Sequence, residues 1–227
     1  MSTPASRAPR WERRKESRPA ELLAAALGMF VDKGYAATRL DDVAGRAGVS
    51  KGTLYLYYPS KEELFKAVVR ETIVPKIDAY RREVETSAAP TERLLTNFFH
   101  AWWQHFGVTE LAGIIKLVVA EAGNFPEVAR FFQEEVVAPN DDLLRTIVQR
   151  GIDRGEFKPI DVDAAVHVWL APMVLKAIWM NSVEQVCPMH PCLTGERVLR
   201  AQVSMILDAV RAPRSPRGVR AGKPPAS

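Results

Sequence analysis

An all-α fold is predicted by three observations. Apolar residues recur at three- and four-residue spacing along the whole middle of the chain, with no stretch of strand-like alternation. Turn signals (Gly48-Val49-Ser50, Pro59-Ser60, Pro75, Pro90, Pro126, Pro139) punctuate that pattern at helix-length intervals. A chain of 227 residues, 47% apolar, has room for one small and one larger helical domain with a real core.

The first helix is expected over about 18–33, with Pro19 tolerated in its first turn and Leu23, Ala26, Leu27 and Phe30 on its apolar face. The next two form the most informative segment, TRLDDVAGRAGVSKGTLYLYY over residues 38–58. Thr38 is placed to cap the first of them, with Asp41 completing a capping box. Leu40, Val43, Ala44 and Ala47 then form one apolar face. Gly48 is placed where a left-handed backbone ends a helix, and Ser50 is a good cap for the next one. Leu54 and Tyr58 face inward, which leaves Lys51, Thr53, Tyr55 and Tyr57 for the outer face, and Gly52 and Leu56 join them as candidate DNA-contacting residues. Two short helices joined by a glycine turn, with lysine and hydroxyls outward, suit the DNA major groove: amines and free N–H groups for phosphates, hydroxyls for phosphates or base edges. Ser60 caps a fourth helix, to about Glu85 with a bend at Pro75, and Lys61 in its first turn is a second phosphate candidate.

The segment 34–68 resembles the DNA-binding domain of the tetracycline-repressor-like (TetR) family, through Gly34-Tyr35, Thr38, Val43-Ala44, Ala47-Gly48-Val49-Ser50, Gly52-Thr53-Leu54-Tyr55, Tyr57-Tyr58 and Ser60-Lys61-Glu62. The resemblance implies a one-component transcription regulator, usually a homodimeric repressor, with DNA contacts at Thr38, Thr53, Tyr55, Tyr57 and Lys61. Leu56 departs from the family's aromatic or polar residue and is left with an apolar contact such as a thymine methyl. Asp41 stands where some relatives carry a base-reading arginine, and Arg39 and Arg46 are candidate substitutes.

Charge follows the same division. Residues 1–66 carry a net +4, residues 67–210 a net −5 and residues 211–227 a net +5, as expected for a basic head on a body that does not touch DNA. The predicted organisation is a disordered basic arm (1–16), a helix-turn-helix domain (17–66), a helical ligand-binding and dimerisation domain (67–210) and a disordered basic tail (211–227). No uninterrupted apolar run reaches the roughly 18 residues of a membrane span, no secretory leader is evident, and two cysteines suit a reducing cytoplasm.

In the body, helices are expected over about 91–106, 109–122, 126–154 (broken near Pro139), 162–186 and 194–211. Its aromatic residues suggest a hydrophobic pocket lined by Phe99, Trp102, Trp103, Phe106, Phe131, His167, Trp169 and Met173. Asn97, His100, Gln104 and His105 are further polar candidates to orient a ligand there. The resemblance also favours a ligand in this domain, and the predicted effector is a small hydrophobic or aromatic molecule. Trp169, Met173, Ala177 and Met180, with Val198, Val203, Ile206, Leu207 and Val210, are expected to form the homodimer face on the last two helices. Cys187, His190 and Cys192 have metal-ligand chemistry but irregular spacing, and neither a metal nor a cofactor is expected. A helical enzyme on a hydrophobic substrate is the rival reading; no nucleophile–base pair, metal triad or phosphate loop supports it. A dimeric interaction protein without DNA binding is the other, opposed by the retained Lys51, Thr53, Tyr55 and Lys61.

Overall fold

The computed structural model describes residues 10–187 and 194–212, with side chains from Arg18 onward. Among these residues the only regular elements are helices, joined by short turns, with one isolated antiparallel bridge between Phe157 and Arg211. The helices are α1 (Arg10–Ala37), α2 (Leu40–Arg46), α3 (Lys51–Tyr57), α4 (Lys61–Thr72), α5 (Val74–Thr86), α6 (Thr91–Trp102), α7 (Leu111–Glu121), α8 (Pro126–Phe132), α9 (Ala138–Asp153), α10 (Val162–Met180), α11 (Val183–Val186) and α12 (Gly195–Val210). The first starts at Arg10, upstream of the expected start, so part of the predicted basic arm is helical. His190 and Cys192, two of the three residues with metal-ligand chemistry, and the basic tail beyond Ala212 lie outside the described residues.

Prolines set two of the breaks. At Ile73 the backbone stays in the right-handed helical region but is distorted (φ −106°, ψ −57°), and α5 restarts with Pro75 in its first turn. Pro139 is absorbed differently. A π-helical turn over Gln133–Val137 separates α8 from α9, widening the backbone just ahead of a ring that clashes with the fourth preceding carbonyl. A second π turn, Trp103–Gly107, ends α6.

Head and body meet along an aromatic seam. Phe30 stacks on Tyr35 (centroids 5.8 Å apart) and meets Phe65 edge-on at 5.4 Å. Tyr35 then meets Phe125 at 4.8 Å, and Phe65 meets Phe131 at 6.5 Å. Phe30 and Phe65 are fully buried, each contributing about 1.5–3 kcal/mol through burial and ~0.5–1.5 kcal/mol per edge contact. Polar ties flank the seam. The Ala36 N–H donates to Glu121 Oε1 (3.2 Å), and Arg70 Nη2 pairs with Glu135 Oε1 (2.7 Å) while its guanidinium lies 5.0 Å from the Phe131 ring. Helices α1 and α7 approach closely because Gly113 carries no side chain: a Cβ there would lie 2.6 Å from Val31 Cγ1.

In the body, Arg150 donates to the carbonyls of Val84 (3.0 Å) and Ser87 (2.6 Å) and so closes the end of α5. The far end of α12 is held by Lys158 N–H on the Val210 carbonyl (2.8 Å) and by Arg211 on Glu92 (2.6 Å).

A Gly113→Leu substitution is expected to force α1 and α7 apart and to cost about 1–3 kcal/mol as an overpacking change. A urea titration reads this as a lower unfolding midpoint; an unchanged midpoint would contradict the close contact.

Candidate nucleic-acid interface and effector pocket

The turn between α2 and α3 is built from local hydrogen bonds. Gly48 takes φ +65°, its N–H bonds to the Gly45 carbonyl (3.1 Å), and the Val49 N–H reaches back to Ala44 (3.0 Å). That pair is a Schellman closure, and the left-handed residue it needs carries no Cβ penalty as glycine. Ser50 then caps α3 by accepting from the Thr53 N–H (3.2 Å), as its sequence position predicts. Leu54 is fully buried beneath the turn, which fixes the rotation of α3 about its axis.

That rotation presents one outward set. Tyr55 is 41% exposed and Leu56 82% exposed, and Lys51 and Gly52 are exposed beside them, with Arg39 at the start of α2. Thr53 is half-buried, and its hydroxyl lies 2.8 Å from the Ser50 hydroxyl. Tyr57 is half-buried beside Tyr58, with ring centroids 6.4 Å apart. Lys51 donates to Asp41 Oδ2 at 2.8 Å, and this partner holds its ammonium above the usual lysine range. The pair is exposed on both sides, so a phosphate can displace the carboxylate at little cost. Arg46 is committed to Asp32 (2.8 Å) and packs over Gly28, which leaves Arg39 as the free arginine of the two considered for base reading.

Two predicted DNA contacts turn inward. Thr38 is buried, and its hydroxyl donates to the Gly34 carbonyl (2.7 Å), with the Met29 carbonyl at 3.2 Å. It therefore closes the end of α1, and Arg39, without a side-chain cap bond, occupies the N-cap of α2. Lys61 folds back to donate to the carbonyls of Tyr35 (2.7 Å) and Ala36 (3.1 Å), with its ammonium 4.6 Å from the Tyr35 ring centroid. Burial pushes its pKa down, with Glu121 acting in the opposite sense. A lysine whose hydrogens are spent on helix-end carbonyls is a cap rather than a phosphate clamp.

The body contains a cavity of about 610 Å³, within the range that holds small organic ligands. Its walls come from the break at Ile73, the Trp102–Phe106 end of α6, α7, the run from Ala129 to Asp141, and α10. Of the eight predicted lining residues, Trp102, Phe106 and His167 line it. The other five are used elsewhere. Phe99 is fully buried edge-on against Phe98 (5.4 Å), and Trp103 is buried with Gly107 and Gly195 packed against its ring. Phe131 points at the head, Met173 is buried in the core, and Trp169 packs against the core with its carbonyl accepting from Gln202. Most of the lining was not foreseen, and it includes Phe132, Val136 and Asn140, with Gln133 and Asp141 beside them. Their four-residue spacing through Pro139 was a usable signal. His100, Gln104, His105 and Asn97 do not line this cavity; they border a separate open groove between α5 and α6.

The predicted dimer residues also divide. Met173, Ala177, Val203, Ile206, Leu207 and Val210 are buried within the protomer. The exposed apolar face of the last helices is Val168 (66% exposed) and Leu175 (60%) on α10 with Met205 (72%) on α12. By length and composition alone the segment Val162–Val186 is apolar enough to cross a membrane (mean hydropathy 1.3), yet only 22% of its apolar window is buried. A count of uninterrupted apolar residues misses it, because Asp163, His167, Lys176 and Glu184 break the run.

Lys51→Ala is expected to lower DNA affinity on all sequences and to reduce the slope of log affinity against log salt by about 1. Lys61→Ala is expected to leave that slope unchanged and to cost about 1–2 kcal/mol of stability, the low end for a hydrogen bond to a charged group at a part-exposed site. Salt-dependent fluorescence anisotropy and urea melts read the two quantities; a reduced slope for Lys61→Ala would contradict its assignment.

Comparison with known proteins agrees with both halves. Residues 22–68 match "Bacterial regulatory proteins, tetR family", and residues 90–184 match "Tetracyclin repressor-like, C-terminal domain". The transcriptional repressor KstR2 of Mycolicibacterium smegmatis is 28% identical over 196 residues, covering 86% of this chain and 91% of that protein. The transcriptional activator FasR of the same organism is 40% identical, but over 89 residues and 38% of its length. Among solved structures, FadR of Bacillus subtilis in complex with stearoyl-CoA superposes with a TM-score of 0.70 at 18% identity, covering 85% of this chain and 99% of that one. A Mesorhizobium loti tetR-family regulator gives 0.68 at 22% identity, covering 88% and 99%. These relatives are transcription regulators rather than enzymes, and at such low identities the structural likeness is one of fold. With both halves of the chain matched, the protein belongs to the tetR family of bacterial DNA-binding transcription regulators.

Proposed function

We propose that the chain is a homodimeric repressor of a two-fold symmetric operator, released when a small apolar effector enters the cavity. One observation carries this reading. The helices that wall the cavity also hold the head: α7 contributes Val118 and Ala122 to the cavity and Glu121 to the end of α1, while the α8 region contributes Phe132 and Val136 to the cavity and Phe131 and Glu135 to α4. An occupant that displaces either wall therefore displaces α3.

The dimer is formed through α10 and α12. Val168 and Leu175 lie exposed on α10, and Ala201 and Met205 on α12. Paired with the same residues of a second copy they make a four-helix interface with small side chains that permit close approach. Such an interface accounts for an apolar helix left largely uncovered within one protomer. Two-fold symmetry then presents two copies of α3 to successive major-groove faces, about 34–36 Å apart. Repression rather than activation is supported by KstR2, which is similar along nearly its whole length, whereas the likeness to the activator FasR is confined to a part of each chain. FadR, which shares this fold, was crystallised with stearoyl-CoA, a ligand with a long apolar acyl chain on a charged carrier. The site of action is the cytoplasm, where the operator is.

Gel shifts on DNA upstream of the protein's own gene test the reading. A sequence-preferring, salt-sensitive complex is expected, lost on adding an effector; only weak, sequence-indifferent binding would contradict it. Leu175→Glu is expected to place a charge at the two-fold interface, shift the mass by light scattering from dimer to monomer and weaken operator binding at least about 10-fold, through loss of the second half-site. A fully dimeric Leu175→Glu protein would contradict the assigned face.

A further inference from the structure

The polar groups of the cavity lie on two of its walls, Gln133, Asn140 and Asp141 on one and His167 on the other, and the remaining lining is aliphatic or aromatic. Neither lysine nor arginine belongs to that lining. The adjacent carboxylates Asp141 and Asp142 have opposite fates. Asp142 is exposed and pairs with Arg145, which also binds Asp163. Asp141 faces the cavity, half-buried, without a hydrogen-bond or ion-pair partner among the described residues. Burial pushes its carboxyl up, while positive charge on His167 and Arg145 acts in the opposite sense.

This arrangement discriminates between ligand charges. A carboxylate brought into the cavity would lie near Asp141 with no lysine or arginine in the lining to hydrogen-bond it, so it would lose hydration and meet a like charge. A full ammonium would find a single half-buried carboxylate, with His167 as a further polar group of the lining and otherwise largely apolar walls, a poor exchange for water. A neutral O–H loses little on entry and donates a charge-assisted hydrogen bond to an acceptor that otherwise lacks one. We infer that the effector is a neutral, largely apolar molecule bearing a hydroxyl group, such as a phenol or an alicyclic alcohol, with Asp141 as the acceptor that selects it and rejects anionic analogues. The inference rests on the reading of this cavity as the effector site.

Four probes of one shape separate the possibilities: 4-phenylphenol, 4-methoxybiphenyl, biphenyl-4-carboxylate and 4-(aminomethyl)biphenyl, each titrated calorimetrically into the full-length protein and into Asp141→Asn. The phenol is expected to bind native protein about 10-fold or more tightly than the ether and the carboxylate, the size of one hydrogen bond to a charged group. In Asp141→Asn that preference is expected to shrink to within roughly 3-fold, with the ether's affinity unchanged and the carboxylate's improved. The unchanged ether shows at the same time that the variant's cavity is intact. Equal binding of phenol and ether by native protein, a preference that survives Asp141→Asn, or tighter binding of the carboxylate or the ammonium would overturn the inference while leaving the cavity a ligand site. Failure of all four to bind would overturn the effector-pocket reading and this inference with it.

Discussion

The seam of Phe30, Tyr35, Phe65, Phe125 and Phe131 is the contact on which the rest of the molecule depends. It is at once the core of the head and its joint to the body. Phe30 and Phe65 belong to α1 and α4, so they set how α2 and α3 are carried. Phe125 and Phe131 belong to the turn and helix that follow α7. Ring packing of this kind has few alternative arrangements, because a close-packed interior does not deform continuously. Lys61 adds a polar lock over the same joint, with its amine on the two carbonyls that end α1 and its charge facing the Tyr35 and Phe125 rings. The phenol of Tyr35, sealed among these rings, has its pKa pushed up to about 12 by burial.

From this joint the two functional surfaces follow. On one side, α3 is held with Leu54 inward, which leaves Lys51, Tyr55 and Leu56 outward. On the other, α7 and the α8–α9 run turn their second faces into the cavity. The break at Ile73 joins the two, since it lies between α4 of the head and α5 of the body and its side chain lines the cavity. The proposed switch therefore needs no relay across empty protein. A ligand that prefers one arrangement of these walls shifts the populations of two head spacings by its difference in affinity for them.

What could be read from the chain was governed by how local its causes are. Gly48 and Ser50 act on backbone groups within five residues, so the turn and the start of α3 were legible, as were the breaks ahead of Pro75 and around Pro139. Lys61 was misread as a phosphate contact because its partners are carbonyls at the end of α1, 26 and 25 residues earlier, which no nearby spacing reveals; Thr38 bonds the Gly34 carbonyl four residues back, so its inward turn had a local cause. The cavity was legible as a property of the domain but not residue by residue. Phe98 and Phe99, Trp102 and Trp103, and Phe131 and Phe132 are adjacent pairs about 100° apart on helices apolar on several sides, so periodicity alone does not choose between them. The two π turns add to this, since each shifts the phase of the helix that follows. Asp141 was hidden for the opposite reason: beside Asp142 it looks like an ordinary solvated pair.

In the proposed switch the cavity walls and the head move as one. Spin labels at Gly52→Cys, with Cys187 and Cys192 replaced by serine, report the distance between the two copies of α3 in the operator-free dimer. Double electron–electron resonance with and without a cavity-binding ligand is expected to show a changed distance distribution, shifted by several ångströms. A distribution that stays the same at saturating ligand, while operator binding is nevertheless lost, would contradict the account.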